Sequence, residues 1–176
     1  MKHAAFFSLI LGMIFLSVSC DSKKNTEETS EQDSTETVSA GKYCNQTYGF
    51  CISYPSESLI PAETLDGDEG QVFKSENGQA DLRVHLDTRI TPVEGEAINL
   101  QSLFDEDTAY KSGYDITYKT FATTSYTIMG IRSGMMIFYQ KTIISNGKVV
   151  TALLRYNGSE KDTYDAMIEP IFKSFK

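Results

Sequence analysis

The sequence predicts an α+β domain in which a central antiparallel β-sheet is flanked by helices. Two turn signals, Glu76-Asn77-Gly78 and Ser145-Asn146-Gly147, each separate apolar runs, a pattern typical of β-hairpins. The runs Met135 to Ile144 and Val149 to Tyr156 are apolar on both faces, so they belong in the middle of a sheet covered on both sides. Helices are therefore needed to supply the covering layers.

The N-terminus resembles a secretory signal peptide, predicted over residues 1–19. Lys2 and His3 form a short basic start, and the stretch from Ala4 to Val18 is apolar or small throughout. A membrane-spanning helix needs about 20 apolar residues, so this run of about 15 is too short to span. We expect an exported protein.

Cys20 is the predicted lipidation site. Ser17 and Ser19 precede it, and the segment resembles the lipobox of bacterial lipoproteins, in which the cysteine thiol is acylated and anchors the protein to a membrane. Ser17 stands where the usual motif has Leu, and Leu16 lies one place earlier. A plain secretory signal with an incidental cysteine is the alternative.

Residues 20–40 are predicted to be a flexible acidic tether. The segment is rich in Ser, Thr, Glu and Asp, and Asp21 to Ser39 carries a net charge of −4 out of −8 for the chain. Neither tether nor domain has the Lys/Arg surplus that phosphate binding requires, so nucleic acid is not an expected partner. Asp33-Ser34-Thr35 resembles the O-glycosylation motif of Bacteroidetes exported proteins.

The three cysteines fit an exported lipoprotein, because lipidation of Cys20 leaves Cys44 and Cys51 as a pair. They flank a turn-like segment, Asn45 to Gly49, and could form a disulfide across a hairpin in an oxidising compartment. Two buried free thiols remain the alternative.

Residues 41–176 are predicted to form one globular domain, long enough for a single core. Val72-Phe73 leads into the first turn, and Leu82, Val84 and Leu86 alternate with polar residues after it, which predicts a strand with one solvated face.

Two segments are predicted to be helical. Asn99 can cap a helix that runs to about Tyr110, with Gly113 placed to end it. Ser159 and Asp162 resemble a capping box, and Pro170 predicts a kink or an early end near Glu169 in the helix that follows. An apolar stripe runs along this helix and predicts that it covers the sheet; the stripe consists of Tyr164, Met167, Ile168, Ile171, Phe172 and Phe175.

Several segments together resemble the Mog1/PsbP-like proteins over nearly the whole mature domain. They are Tyr48 to Pro55, Asp66-Gly67-Asp68, Gln71 to Ser75, Ile137 to Thr142, Tyr164-Asp165 and Lys173 to Phe175. The resemblance implies an α/β/α sandwich and a Bacteroidetes-type lipoprotein. It implies no function, because relatives include a photosystem subunit, a Ran-binding protein and many bacterial lipoproteins.

No cluster of residues predicts a catalytic, metal or cofactor site. His85 is expected on the solvated face of its strand, without other ligands at metal spacing. Asp66-Gly67-Asp68-Glu69-Gly70 resembles the start of a calcium loop but lacks the closing glutamate, so a solvated turn is expected. Glu94 with Glu96, and Asp105 to Asp107, are possible carboxylate pairs, for which a polar loop and a solvent-facing helix turn are the simpler interpretation.

We therefore expect a non-enzymatic binding or assembly module without a cofactor. It would be anchored through Cys20 in the cell envelope, at the outer membrane, facing the periplasm or at the cell surface. Its partner would be an envelope protein or a small ligand. The alternatives are an envelope hydrolase with an unrecognised site, which requires polar residues with perturbed titration converging in a pocket, and an immunity-type or structural lipoprotein.

Overall fold

The fold is built on a seven-stranded antiparallel sheet with a separate two-stranded hairpin. In this computed structural model, residues 39–109, 114–132 and 135–176 are described, and they belong to one compact unit. The large sheet has the order β3-β4-β5-β9-β8-β7-β6. The strands of the described chain are β1 Ala40–Asn45, β2 Phe50–Pro55, β3 Ile60–Thr64, β4 Gly70–Lys74, β5 Ala80–Leu86, β6 Tyr114–Ala122, β7 Ser125–Arg132, β8 Met136–Ser145 and β9 Lys148–Asn157.

Both predicted hairpins of the large sheet are confirmed. Glu76-Asn77-Gly78 joins β4 to β5, and Gly78 has a φ of 68°. Asn146 (φ 49°) and Gly147 (φ 71°) form the turn between β8 and β9, where a left-handed backbone suits Asn-Gly. The strands predicted to be central, β8 and β9, lie in the interior of the sheet, with β9 between β5 and β8.

One face of the sheet, called here the α2 face, is covered by helix α2 (Lys161–Ser174) and the β1–β2 hairpin. Tyr164, Ile171, Phe172 and Phe175 are all at most 3% exposed, which confirms that the apolar stripe packs on the sheet. The last residue extends the hairpin, because the Lys176 carbonyl accepts from the Cys51 N–H at 2.8 Å.

The β1–β2 hairpin contains a disulfide between Cys44 and Cys51, which lie directly opposite each other. Their Cα atoms are 4.1 Å apart. The turn between the strands includes Gly49, whose φ is 71°. This bond matches the hairpin pairing expected from the sequence.

The opposite face, called here the α1 face, is covered in part by the short helix α1 (Gln101–Thr108) and the loop that precedes it. Leu103 is buried against Tyr126, Ile128 and Phe138 of strands β7 and β8. The half of this face on β4, β5 and β9 is less covered, and Leu153 is only half-buried there.

The helix ends differ from those expected. Helix α1 begins at Gln101, whose N–H donates to the Asn99 side chain at 2.9 Å, and it ends at Thr108; Gly113 lies outside the described residues. Ser159 and Asp162 form no capping box, because a 3₁₀ turn over Gly158–Glu160 precedes α2 and the Asn157 side chain caps that turn.

The early end near Glu169 that Pro170 suggested is wrong, because helix α2 continues through Pro170 to Ser174. The predicted signal peptide, the lipidation site Cys20 and the tether up to residue 38 lie outside the described residues. Among the residues that are described, no helix has the length and hydrophobicity needed to cross a membrane.

Candidate binding site on the α1 side of the sheet

A row of polar side chains crosses the interior of the sheet on its α1 face. His85 of β5 lies opposite Thr151 of β9, Thr151 opposite Thr142 of β8, and Thr142 opposite Tyr126 of β7. Thr142 and Thr151 are buried, and their hydroxyl oxygens are 2.8 Å apart. Buried polar groups need partners, and most of this row is bonded to a charged cluster described next.

Arg89 holds two buried carboxylates together. Its Nη2 donates to Asp87 Oδ2 at 2.6 Å, and its Nε donates to Asp87 Oδ1 at 3.0 Å. Its Nη1 donates to Asp107 Oδ1 at 2.8 Å. Asp87 is 5% exposed and Asp107 is 0% exposed, so Arg89 joins the end of β5 to helix α1 across the sheet face.

Asp107 is also bonded to the sheet. The Tyr126 hydroxyl and the Gln140 amide each donate to its Oδ2 at 2.6 Å. Burial and the hydrogen bond to Asp107 raise the pKa of Tyr126. The expected solvent-facing position is wrong for Asp107, because α1 turns this carboxylate inward, whereas Asp105 and Glu106 are exposed.

The carboxylate of Asp87 is held in its charged form. Burial alone would raise its pKa, but hydrogen bonds from the side chain and backbone of Arg89 hold the pKa below its ordinary value. The same carboxylates raise the pKa of Arg89 above its already high ordinary value. Both shifts in pKa favour the charged forms of Asp87 and Arg89 at neutral pH.

His85 is more enclosed than the sequence predicted. Its side chain is half-buried, and its Nδ1 is sealed from solvent with no hydrogen-bond partner among the described residues. Burial lowers the pKa of His85. The alternation correctly put it on the polar face of β5, but His85 lines a groove there together with Asp87 and Arg89, so it is not on open surface.

A groove runs along the less covered part of the α1 face. One section of about 350 Å³ is lined by residues that include His85, Arg89 and Thr151. A second section of about 100 Å³ is lined by Tyr114, Phe138, Gln140, Leu153 and Arg155. Gln140 and Leu153 line both sections, so the two sections adjoin. We call the whole the α1-side groove.

Two further arginines lie on this face of the sheet, Arg155 among the residues that line the groove and Arg83 outside them. Arg155 donates through Nε and Nη2 to Asp81, with the closest contact 2.8 Å. Arg83 lies opposite Leu153 on the same face and forms no ion pair with any described residue. The groove thus combines an apolar floor with cationic groups at its side.

The other acidic candidates do not assemble into a site. Asp66 and Asp68 are exposed in a 3₁₀ turn, where Asp68 accepts from the Thr47 hydroxyl at 2.8 Å. Glu94 and Glu96 flank Gly95 in an exposed loop. Within the described ranges, no group of three or more His, Cys, Asp or Glu side chains could hold a metal ion.

Sequence reasoning missed Arg89, Asp107, Gln140 and Thr151 as members of one cluster. A signal was present, because Gln140 and Thr142 in β8 and Thr151 in β9 interrupt otherwise apolar strands at alternate positions. Polar residues on one face of a central strand predict a buried network. The partners from the loop and α1 could not be identified from spacing.

A second groove lies on the other side of the sheet, between β2 and α2. It has a volume of about 190 Å³ and is almost entirely apolar, with Tyr54, Met167 and Pro170 among its lining residues. It contains no charged side chain. The polar side chains along it are the hydroxyl-bearing Ser53, Tyr54 and Thr163, so it offers mainly apolar contact area and no charged group to fix the orientation of a ligand.

Comparison with known proteins supports the fold. No family model and no curated protein matches the chain. The structure is similar to the solution structure of cyanobacterial PsbP (CyanoP) from Synechocystis sp. PCC 6803, with a TM-score of 0.56 and 13% sequence identity. The similarity covers 81% of this chain and 95% of that chain. The chain therefore has a PsbP-like α+β fold.

Proposed function

We propose that this protein is a non-enzymatic binding module of the bacterial cell envelope, anchored by a lipid on Cys20. The observation that carries the binding role is the α1-side groove, which joins an apolar floor to a few placed polar groups. That combination is typical of ligand sites. The lipoprotein signal and the tether support the location, and a tether of about 20 residues would reach about 25 Å from the membrane.

The chemistry of the groove favours binding over catalysis. Asp87 and Asp107 both pair with Arg89, and hydrogen bonds from Arg89 keep the pKa of Asp87 below its ordinary value, so Asp87 is not poised to take a proton near neutral pH. Thr151 is the nearest hydroxyl across from His85, but its hydrogen bonds are to Thr142 and Asp87. No described nucleophile is hydrogen-bonded to the imidazole.

An envelope hydrolase is the second candidate, and one observation favours it. His85 and Asp87 both have shifted pKa values and both line the groove, which is the arrangement expected of an unrecognised active site. If this candidate is correct, the full chain should cleave generic ester or amide substrates and His85→Gln should abolish the activity. Activity that survives His85→Gln would dismiss it.

The binding role is tested by blocking the groove. Leu153→Trp places an indole over the floor of the α1-side groove, and Met167→Trp is the matched control in the β2–α2 groove. Fractions of an envelope extract are added to the full chain in detergent and the Tm is measured, because a ligand that binds only the folded state raises Tm.

We expect a fraction that raises the Tm of the wild type and of Met167→Trp but not of Leu153→Trp. A fraction that stabilises all three proteins equally would contradict the groove as the site. Extracts without any stabilising fraction would contradict the binding role itself.

A further inference from the structure

We propose that the α1-side groove binds a small organic acid, a carboxylate carried on an apolar ring or short chain. The inference rests on the proposed binding function and names the class of ligand. Three features of the groove support it: an apolar floor of limited size, arginines beside that floor, and carboxylates that are already paired with arginines.

The floor accepts an apolar body. Leu153 is half-buried at the point where the two sections of the groove join, and Phe138 and Tyr114 form one end with their rings 5.0 Å apart in an edge-to-face arrangement. These apolar side chains line the smaller section, of about 100 Å³, and the adjoining larger section, of about 350 Å³ and lined mostly by polar residues, is at the small end of the range for ligand pockets. The groove therefore suits a single ring or short chain better than a large cofactor.

The side of the floor offers positive charge. Arg83 has no carboxylate partner among the described residues and lies directly opposite Leu153. Arg155 lines the groove and donates through Nε and Nη2 to Asp81, and its Nη1 has no acceptor among the described residues. A carboxylate beside Leu153 would therefore meet one unpaired guanidinium and one that is partly committed.

The acidic groups nearby do not suit a cation. Asp107 is 0% exposed and Asp87 is 5% exposed, and both already accept from Arg89. Asp81 is paired with Arg155. At the Leu153 end of the groove Arg83 and Arg155 face a single carboxylate, so the charge beside the floor is positive there and charge complementarity selects an anion.

The test compares a carboxylic acid with the uncharged amide of the same shape. Isotope-labelled full chain in detergent is titrated with 3-phenylpropionate and, separately, with 3-phenylpropanamide, and amide chemical shifts are followed by NMR. Arg83→Gln removes the unpaired charge, and Lys173→Gln makes the same change of net charge at an exposed position of α2, on the other side of the sheet.

We expect saturable shifts from the acid in β5, β8 and β9. Arg83→Gln should weaken its binding about tenfold, as for a lost hydrogen bond to a charged group, while Lys173→Gln leaves it unchanged. The amide should bind about tenfold more weakly than the acid.

Three results would overturn the inference: shifts confined to the β2–α2 groove, equal binding of acid and amide, or no saturable binding of the acid. If one of these results is found but an envelope fraction still raises the Tm of the wild type and not of Leu153→Trp, the groove binds a ligand that is not a small organic acid, and the binding function stands. If both experiments are negative, both proposals fail.

Discussion

The guanidinium of Arg89 contacts carboxylates from two different elements, Asp87 after β5 and Asp107 in α1. The two acids are almost completely buried, whereas Arg89 keeps 36% of its side chain exposed. Removing the cation would leave two buried negative charges without compensation, which costs far more than an ordinary surface ion pair.

Arg89→Met should therefore lower the free energy of unfolding by roughly 3 kcal/mol. The matched control is Arg155→Met, because Arg155 and Asp81 form a more exposed pair, 39% and 21%, on the same face. Exposed ion pairs contribute at most about 1 kcal/mol, so Arg155→Met should change the free energy of unfolding little. Urea denaturation measures both, and equal losses would show that the buried network has no special role.

His85 should make stability depend on pH. Its folded pKa is lowered by burial, so as pH falls the unfolded chain binds a proton first. The stability that neutral His85 contributes is present above about pH 6.5 and is lost as pH falls below that value toward the folded pKa.

His85→Gln should reduce the loss of stability between about pH 7.5 and pH 5.5. Urea denaturation of both proteins at the two pH values checks this. If His85→Gln loses as much stability as the wild type between these pH values, a group other than His85 causes the pH dependence.

At the residue scale, the sequence predicted which face of a strand a residue occupies better than it predicted which residues surround it. Alternation placed His85 on the polar face of β5 correctly, but it could not show that Asp87 and Arg89 line a groove with it on that face. Asp107 is the clearer failure. Its neighbours Asp105 and Glu106 are exposed, and only tertiary contacts with Arg89 and Gln140 distinguish it from them.

At the element scale, hairpins and the apolar stripe of α2 could be predicted because turn chemistry and periodicity are local. Helix ends were harder. Asn157 rather than Ser159 supplies the cap at the start of the last helical segment, and α2 passes through Pro170 because packing of Ile171 and Phe172 outweighs the lost backbone hydrogen bond.

The β1–β2 hairpin gives a prediction at this scale. The double variant Cys44→Ala/Cys51→Ala should lower the free energy of unfolding by about 2 kcal/mol, since the disulfide closes a short loop of the unfolded chain. Amide exchange should also quicken at Cys51 and Lys176, which bond to each other. Unaltered stability and exchange would show that Phe50 and Ile52 hold the hairpin without the bond.

At the scale of the whole molecule, the sheet has two unlike sides. The α2 side has an apolar core closed by a helix and a hairpin, and its groove contains no charged group. The α1 side has a buried ionic cluster beside a mixed groove. The fold is similar to that of cyanobacterial PsbP at 13% identity, and a likeness of fold does not imply a shared activity. The role of this protein therefore depends on the residues that line the two sides of its sheet.

The anchor is a prediction for the complete chain. Mass spectrometry of the mature protein from bacterial membranes should find an N-terminal Cys20 carrying diacylglycerol. Cys20→Ala should release the protein from the membrane fraction. A mature N-terminus elsewhere, or a free Cys20 thiol, would mean that the protein is exported without a lipid anchor, and that residues 20–40 do not tether it to a membrane.

The central claim is that the protein binds through the α1-side groove at the envelope. The most direct measurement is photo-crosslinking in intact cells of the source organism, with benzoylphenylalanine in place of Leu153 or, as the control, of Met167. We predict a discrete crosslinked product from position 153 that is absent from position 167. Products that are equal at both positions, or found only at 167, would contradict the claim.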